Sequence, residues 1–218
     1  MWSFVDPRGD ADTAVADLGA MGYIAFDDDN NTSATQSIGV GWAQDDAVWV
    51  AYGHAMPGQI TIENGATGGP PSPAIGAVVA NNQVGISPDF SQGPKAYLYS
   101  LPYHQLSKMK LMLFFGCNTG LDALSTSPYA GNLVKEATGD QGVDSSLGFT
   151  HEIYFVPDAA GYWSDSFFSS LKNGSTVSNS ANAALNMVYL HLSGLPYGFN
   201  NPYIVGGTTT IKPAGYGS

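Results

Sequence analysis

The sequence predicts an α/β fold in which helices flank a mostly parallel sheet, and two observations lead to it. Short apolar runs bounded by turn residues are typical of buried strands, and Lys110–Gly116 is the clearest because it is continuous, apolar and too short for a helix. Helical segments alternate with these runs, which favours parallel strands joined by crossovers. Since no repeat or low-complexity linker divides the 218 residues, a single domain over 1–218 is expected.

The amino-terminal half contributes the first predicted elements. A helical stretch over 11–21 is followed by a strand over Ala47–Tyr52. The apolar Gln59–Ile62 is predicted to pair with that strand as a hairpin across a Pro57-Gly58 turn. A stretch rich in Gly, Pro, Ser and Asn from Asn64 to Gln92 indicates a long loop, with the apolar run AIGAVVA inside it.

The carboxyl-terminal half alternates more regularly. The predicted elements after Lys110–Gly116 are a helix over 131–138, a strand over 145–149, and two helices over 161–171 and 176–192 divided by Asn173-Gly174. Five residues of the last helix share one face at helical spacing: Val177, Ala181, Ala184, Leu185 and Val188. Three aromatic residues of the preceding helix are expected to face the core: Trp163, Phe167 and Phe168. The terminal YIVGG and TTTI indicate an edge strand.

The charge balance narrows the classes of partner. Net charge is −11, and only seven Lys and Arg are present, so binding to nucleic acid or to an anionic membrane surface is not expected. Basic peptides and metal cations are the partners that such a field attracts. No apolar run reaches the length of a membrane-spanning helix, and the first ten residues do not resemble a signal peptide. Charged residues make up only 11%, a composition that favours an extracellular or secreted protein.

Two reactive residues follow apolar strands directly. His54 comes just after Ala47–Tyr52, and Cys117 closes Lys110–Gly116. In open α/β sheets catalytic groups gather beyond the carboxyl ends of strands, so these two side chains are predicted to meet there. A thiol needs an adjacent imidazole to act as a strong nucleophile near neutral pH. Because Cys117 is the only cysteine, a disulfide framework and a multi-thiolate zinc site are excluded.

The segment around the cysteine resembles the caspase-like cysteine peptidases, the superfamily of caspases, gingipains, legumain, separase and CHAT domains. That superfamily has one apolar strand ending in His-Gly and another ending in Ala-Cys or Ser-Cys. The segment is most similar to CHAT-type domains, in which the nucleophile lies in a motif like Ala-Cys-Asn-Thr-Gly. This chain reads Gly116-Cys117-Asn118-Thr119-Gly120. The downstream order of elements is also similar, so the resemblance covers roughly residues 40 to 190.

The resemblance implies a caspase-like three-layer sandwich and a cysteine endopeptidase that acts on peptide or protein substrates without an organic cofactor. Cys117 would attack the carbonyl carbon, and His54 would transfer a proton to the leaving amine. Backbone N–H groups near Gly53, Ala55 and Gly116 would hold the oxyanion. Two positions depart from the pattern: Ala55 replaces the glycine after the histidine, and Gly116 replaces the Ala or Ser before the cysteine.

Several alternatives stay open. A single cysteine is often a buried small hydrophobe, and a single histidine is often structural. If both residues have only these structural roles, the chain is a non-catalytic caspase-like domain that serves as an extracellular binding or structural module. Among the other histidines, His104 and His191 lack a strand-end context. His151 is the only credible substitute for His54, because it too follows a predicted strand.

An acidic run follows the apolar segment Gly22–Phe26. The carboxylates of Asp27, Asp28 and Asp29 are hard oxygen ligands that suit Ca²⁺. The spacing is not that of an EF-hand loop, and a solvated turn rich in Asp and Asn is the alternative.

Two further carboxylates are candidates for substrate binding. Asp158 lies in the loop where CHAT-type relatives often carry an acid facing the specificity pocket, and Asp144 is the fallback near the preceding strand. A carboxylate there would select Arg or Lys before the cleaved bond. Asp158 precedes a predicted helix, so an N-cap role is equally compatible with its position.

Overall fold

The fold is taken from a computed structural model. The residues that it describes are 8–25, 45–62, 76–79, 95–98, 101–123, 131–154 and 158–213. The helices in these segments are α1 (Arg8–Ala20), α2 (Leu133–Gly139), α3 (Ala159–Lys172) and α4 (Val177–His191). The strands are β1 (Val48–Tyr52), β2 (Ala55–Met56), β3 (Gln59–Ile62), β4 (Gly76–Val79), β5 (Lys95–Tyr97), β6 (Leu111–Phe115), β7 (Ser146–Phe149) and β8 (Pro202–Val205).

The main sheet has the strand order β1-β6-β7-β8. β1, β6 and β7 run parallel, and β8 pairs antiparallel with β7 at the edge. This arrangement confirms the prediction of an α/β class with a mostly parallel sheet flanked by helices. It also confirms the terminal edge strand for Pro202–Val205, whereas the TTTI segment is not in a strand.

Strand β6 is an inner strand of the main sheet, and neighbouring elements cover both of its faces. All five of its residues are fully buried. Successive side chains of a strand point to opposite faces. Leu111, Leu113 and Phe115 therefore pack in one core cluster, whereas Met112 and Phe114 pack in another. Burial on both faces explains why the segment reads as a continuous apolar run.

The first core cluster is formed by three helices on one face of the sheet. α3 packs against both α1 and α4. The predicted core residues of α3, Trp163, Phe167 and Phe168, are fully buried, which confirms their prediction. The face predicted for α4 is also confirmed, with Leu185 half-buried at its border.

The second core cluster lies on the opposite face of the sheet. α2 contributes Leu133, Val134 and Ala137, and β3 contributes Ile60. α2 begins at the N-cap Asn132, whose side chain accepts hydrogen bonds from the backbone N–H groups of Val134 and Lys135.

The predicted hairpin has a different partner strand. Gln59–Ile62 does form a strand after the Pro57-Gly58 turn, but it pairs with Ala55–Met56 rather than with Ala47–Tyr52. The chain leaves the main sheet at Gly53-His54 and enters a second sheet, with the order β2-β3-β4-β5. The long predicted loop contains a strand at Gly76–Val79, inside the AIGAVVA run.

The apolar segment after α1 is not a strand in its described part. Residues Gly22 to Ala25 have no regular structure, and the Tyr23 hydroxyl donates a hydrogen bond to the carbonyl oxygen of Ile211. Within the described residues, no helix is long and apolar enough to cross a membrane.

A carboxylate on α2 makes stability depend on pH. Burial, together with the hydrogen bond and the charge of Asp140, raises the pKa of Glu136 to about 7. Between the ordinary pKa of 4.5 and about 7, the folded state holds a proton that the unfolded state has lost. Stability therefore falls as pH rises through this window and stays lower above it.

We expect Glu136→Gln to raise the free energy of unfolding above pH 7 by about 1 kcal/mol, a figure reduced for solvent screening at a half-exposed group. Urea unfolding of both proteins from pH 4 to 8 measures this difference. Replacing the exposed Asp12 by Asn is the control. Equal pH dependence of the variant and the wild type would contradict the assignment.

Candidate active site

The main sheet carries three reactive residues at one edge. β1 pairs with β6 so that Tyr52 lies opposite Phe115, and β7 pairs with β6 through Ser146 opposite Met112 and Leu147 opposite Leu113. His54, Cys117 and His151 each lie two residues beyond the last residue of β1, β6 and β7, respectively. The carboxyl ends of three adjacent parallel strands therefore carry an imidazole, a thiol and a second imidazole, in that order.

The loops that carry His54 and Cys117 are in direct contact. The Gly53 N–H donates a hydrogen bond of 3.3 Å to the Phe115 carbonyl oxygen at the end of β6. A Cβ atom added at Gly116 would lie 2.7 Å from both the Ala55 Cβ and the Gly53 carbonyl oxygen. This contact leaves no room for a side chain at position 116.

The two departures from the caspase-like pattern are therefore linked by packing. The pattern has Ala or Ser, each with a Cβ atom, before the cysteine and glycine, without one, after the histidine. Here the methyl group belongs to Ala55, and it fills the space that a side chain at Gly116 would need. At this contact the Cβ atom therefore comes from position 55 and not from position 116.

Thr119 ties the loop after Cys117 to two strands. Its side chain is fully buried, and its hydroxyl lies 2.8 Å from the carbonyl oxygen of Phe114 and 3.0 Å from that of Gly116. The Thr119 hydroxyl oxygen in turn accepts a hydrogen bond of 3.0 Å from the Phe149 N–H of β7. These bonds give the loop a fixed position relative to β6 and β7.

The neighbours of Thr119 have equally specific structural roles. Asn118 has a positive φ of 59°, a conformation that asparagine tolerates better than most residues. Its N–H donates a hydrogen bond of 3.0 Å to the His151 carbonyl oxygen. A Cβ added at Gly120 would lie 2.7 Å from the Cβ of Tyr203, so glycine is required by close packing. The motif after Cys117 thus builds a rigid turn.

The Cys117 thiol is half-buried beneath the loop that follows β7. Its Sγ lies 3.7 Å from the Ile153 carbonyl oxygen. Burial is the main cause of the raised pKa of this thiol, and the nearby Glu152 carboxylate adds to it. Backbone hydrogen bonds at Ile153 and at Cys117 itself act in the opposite direction. The resting thiol is therefore protonated near neutral pH, and a base is needed to generate the thiolate.

Aromatic rings pack against one another beneath the carboxyl edge of the sheet. The Phe115 ring lies 5.3 Å from that of Phe149, 5.4 Å from that of Trp163 and 5.7 Å from that of Phe199, between centroids. Phe115 and Phe149 directly precede the two loops that carry Cys117 and His151. Their mutual packing fixes where those loops begin.

Asp158 lies at the amino terminus of α3 and is exposed. It has the N-cap position, but its side chain makes no capping hydrogen bond, and its backbone has an unusual φ of 138°. The Asp158 carboxylate contributes to the raised pKa of Asp165, after burial, which is the larger cause. The carboxylate of Asp158 thus does not cap α3.

The other predicted acidic residues are not brought to this edge. Asp144 precedes β7 at the amino-terminal end of the sheet, where its carboxylate pairs with the Lys110 ammonium at 2.6 Å. It therefore lies at the end opposite Cys117 and is left out of the site. Asp27, Asp28 and Asp29 lie outside the described residues. Within those residues, no group of three or more His, Cys, Asp or Glu side chains is arranged to hold a metal ion.

The residues around the thiol that sequence reasoning missed belong to the loop after β7. Glu152 and Ile153 act on Cys117 by charge and by backbone contact. The only signal was their proximity to His151 in sequence, since nothing in a single sequence shows how this loop folds back over its neighbour.

Comparison of the sequence with models of known protein families and with curated proteins returned no match.

The steric conflict between side chains at positions 55 and 116 can be measured. We expect Gly116→Ala to lower the free energy of unfolding by about 1–3 kcal/mol, because the new methyl group overlaps Ala55 and the Gly53 carbonyl. Ala55→Gly removes one of these overlaps, so the double variant should recover part of the loss, with a coupling energy of about 0.5–3 kcal/mol.

Urea denaturation of the wild type, both single variants and the double variant gives this coupling. Gly139→Ala is the matched control, because a Cβ there meets nothing within 4 Å. Strictly additive effects of the two substitutions would show that the loops do not share this space.

Proposed function

We propose that the chain is a caspase-like cysteine endopeptidase, most similar to CHAT-type domains, with Cys117 as nucleophile and His54 as its catalytic histidine. The observation that carries this proposal is the placement of both residues two positions beyond register-matched ends of adjacent parallel strands, in loops that touch. A caspase-like three-layer sandwich is part of the same proposal, and the mixed sheet with helices on both faces is compatible with it.

The chemistry follows from the position of the thiol. The Cys117 sulfur, as thiolate, attacks the carbonyl carbon of the scissile peptide bond and forms a tetrahedral intermediate. Backbone N–H groups in the adjoining loops, near Gly53, Ala55 and Gly116, hold the oxyanion. His54 is exposed, so it can reach a bound substrate and give a proton to the leaving amine as the C–N bond breaks. Water then hydrolyses the acyl-enzyme.

Local charge supports a preference for Arg or Lys before the cleaved bond. Glu152 lies between two residues whose carbonyl oxygens contact the Cys117 loop. Asp158 supplies a second carboxylate without a capping partner. Both side chains are exposed. Each one therefore contributes about 0.2–1 kcal/mol rather than the larger value of a buried charge pair.

A second candidate function is a non-catalytic caspase-like domain that binds or assembles with other proteins. The half-buried thiol with a raised pKa favours it, since a structural cysteine has these properties. The rigid turn built by Thr119 and Gly120 is equally useful to a domain that keeps the fold without the activity.

Peptide hydrolysis and thiol alkylation separate the two functions. We expect the wild type to cleave members of a fluorogenic peptide library and to lose this activity on stoichiometric alkylation, with one modified site at Cys117. Cys117→Ala should abolish hydrolysis, and His54→Gln should lower kcat by about 10²–10⁴-fold. His191→Gln removes an exposed histidine from the end of α4 and should have no effect. A folded wild-type protein that cleaves no peptide would support the non-catalytic domain instead.

The preference for basic residues is tested with paired substrates. We expect kcat/KM to be higher for Arg than for Gln before the cleaved bond. Asp158→Asn and Glu152→Gln should each reduce this ratio by about 1.4- to fivefold, as for exposed charge pairs. Asp144→Asn, at the opposite end of the sheet, is the control and should leave the ratio unchanged. A wild type that favours acidic or apolar residues would refute the assignment.

A further inference from the structure

His151 has a defined place on the side of Cys117 away from His54. It follows β7 by two residues, as Cys117 follows β6, and β7 lies on the side of β6 away from β1. Its carbonyl oxygen accepts the hydrogen bond from the Asn118 N–H, and the next residue but one, Ile153, touches the thiol through its carbonyl. His151 itself is exposed. It thus belongs to the loop that covers the nucleophile and remains open to solvent.

A hydrogen-bond chain fixes the tautomer of the His151 ring. The Thr150 hydroxyl donates its only hydrogen to the Asn201 carbonyl oxygen, at 2.7 Å. The same hydroxyl lies 3.1 Å from the Nδ1 atom of His151, so at this contact it acts as the acceptor. Nδ1 therefore carries the hydrogen, and Nε2 of the neutral ring has a free lone pair. An imidazole oriented in this way is suited to accept a proton.

We propose that His151 is a second catalytic histidine, whose Nε2 takes the proton of the Cys117 thiol while His54 protonates the leaving amine. This inference rests on the peptidase function proposed above. It assigns the two halves of the proton transfer to two imidazoles, one on each side of the nucleophile.

The protons balance over one turnover. In acylation the thiol proton passes to His151 Nε2, the S–C bond forms, and the C–N bond breaks as a His54 imidazolium gives its proton to the amine nitrogen. In deacylation the attacking water gives a proton to His54, and its oxygen bonds to the acyl carbon. The S–C bond breaks, and His151 returns its proton to the sulfur. Both rings end in their starting states.

The titratable groups on the segments that adjoin His151 are His54 after β1, Cys117 after β6, Glu152 on the same loop, and the tyrosine pair Tyr154–Tyr197, with ring centroids 6.5 Å apart. Glu152 is the carboxylate among these groups, and it directly follows His151 in the chain.

The rate of Cys117 alkylation by iodoacetamide as a function of pH tests this role without requiring peptide cleavage. The single cysteine makes the reaction specific for one site. Wild type should show an inflection that arises from an imidazole acting as the base. His151→Gln should remove the inflection and lower the rate at pH 7 by about tenfold or more. Thr150→Val should also weaken the inflection and lower the rate, because it removes the hydroxyl that orients the ring. Thr150→Ser keeps the hydroxyl and should preserve the profile.

Two controls make the result decisive. His191→Gln should leave the profile unchanged, and a melting temperature for every variant separates unfolding from loss of the base. A wild-type profile without the inflection, or one that persists in His151→Gln and disappears in His54→Gln, overturns the proposal. A His151-dependent profile in a protein that cleaves no peptide supports the proton transfer and counts against the peptidase function alone.

Discussion

The enclosure of β6 is the constraint on which the rest of the structure depends. Its side chains alternate between two cores, and its edges pair with β1 and β7, so the strand has no freedom to slide. A slip of one residue would exchange the faces of all five side chains. The register is thus held by packing, and it fixes which residues stand together at the carboxyl edge. Truncating Phe115 would remove the ring on which this edge rests, at a cost of about 3–5 kcal/mol.

The same burial that holds the sheet gives the thiol its chemical character. Cys117 lies against the core formed by the helices and is only half accessible, so its protonated form is favoured. A nucleophile in this setting depends on neighbouring bases rather than on an intrinsically low pKa. The two flanking loops supply imidazoles, and the loop after β7 adds a carboxylate. Hydrogen bonds around Thr119 hold the loop that carries the thiol at a fixed position relative to β6 and β7.

Much of the fold could be predicted because the strongest elements are locally encoded. The apolar run of β6, the helical spacing in α4 and the Asn173-Gly174 turn each carry their own signal. The hairpin partner of β3 could not be predicted, since Ala55–Met56 is too short to show a strand pattern. The strand Gly76–Val79 could not be predicted either, because it is short and lies in a stretch rich in glycine and proline. Asp144 was a candidate from its place in the sequence, but it precedes β7 and therefore lies at the amino-terminal end of the sheet, where its carboxylate pairs with Lys110.

The sequence by itself determined that His54 and Cys117 end apolar strands, because strand identity and strand termination are local properties of the chain. Only the tertiary structure decided that these strands are adjacent and in register, that Ala55 occupies the space above Gly116, and that the His151 carbonyl contacts the loop of Cys117. Such relations join residues far apart in sequence. They arise from the packing of β6 between its neighbours, which no single segment encodes.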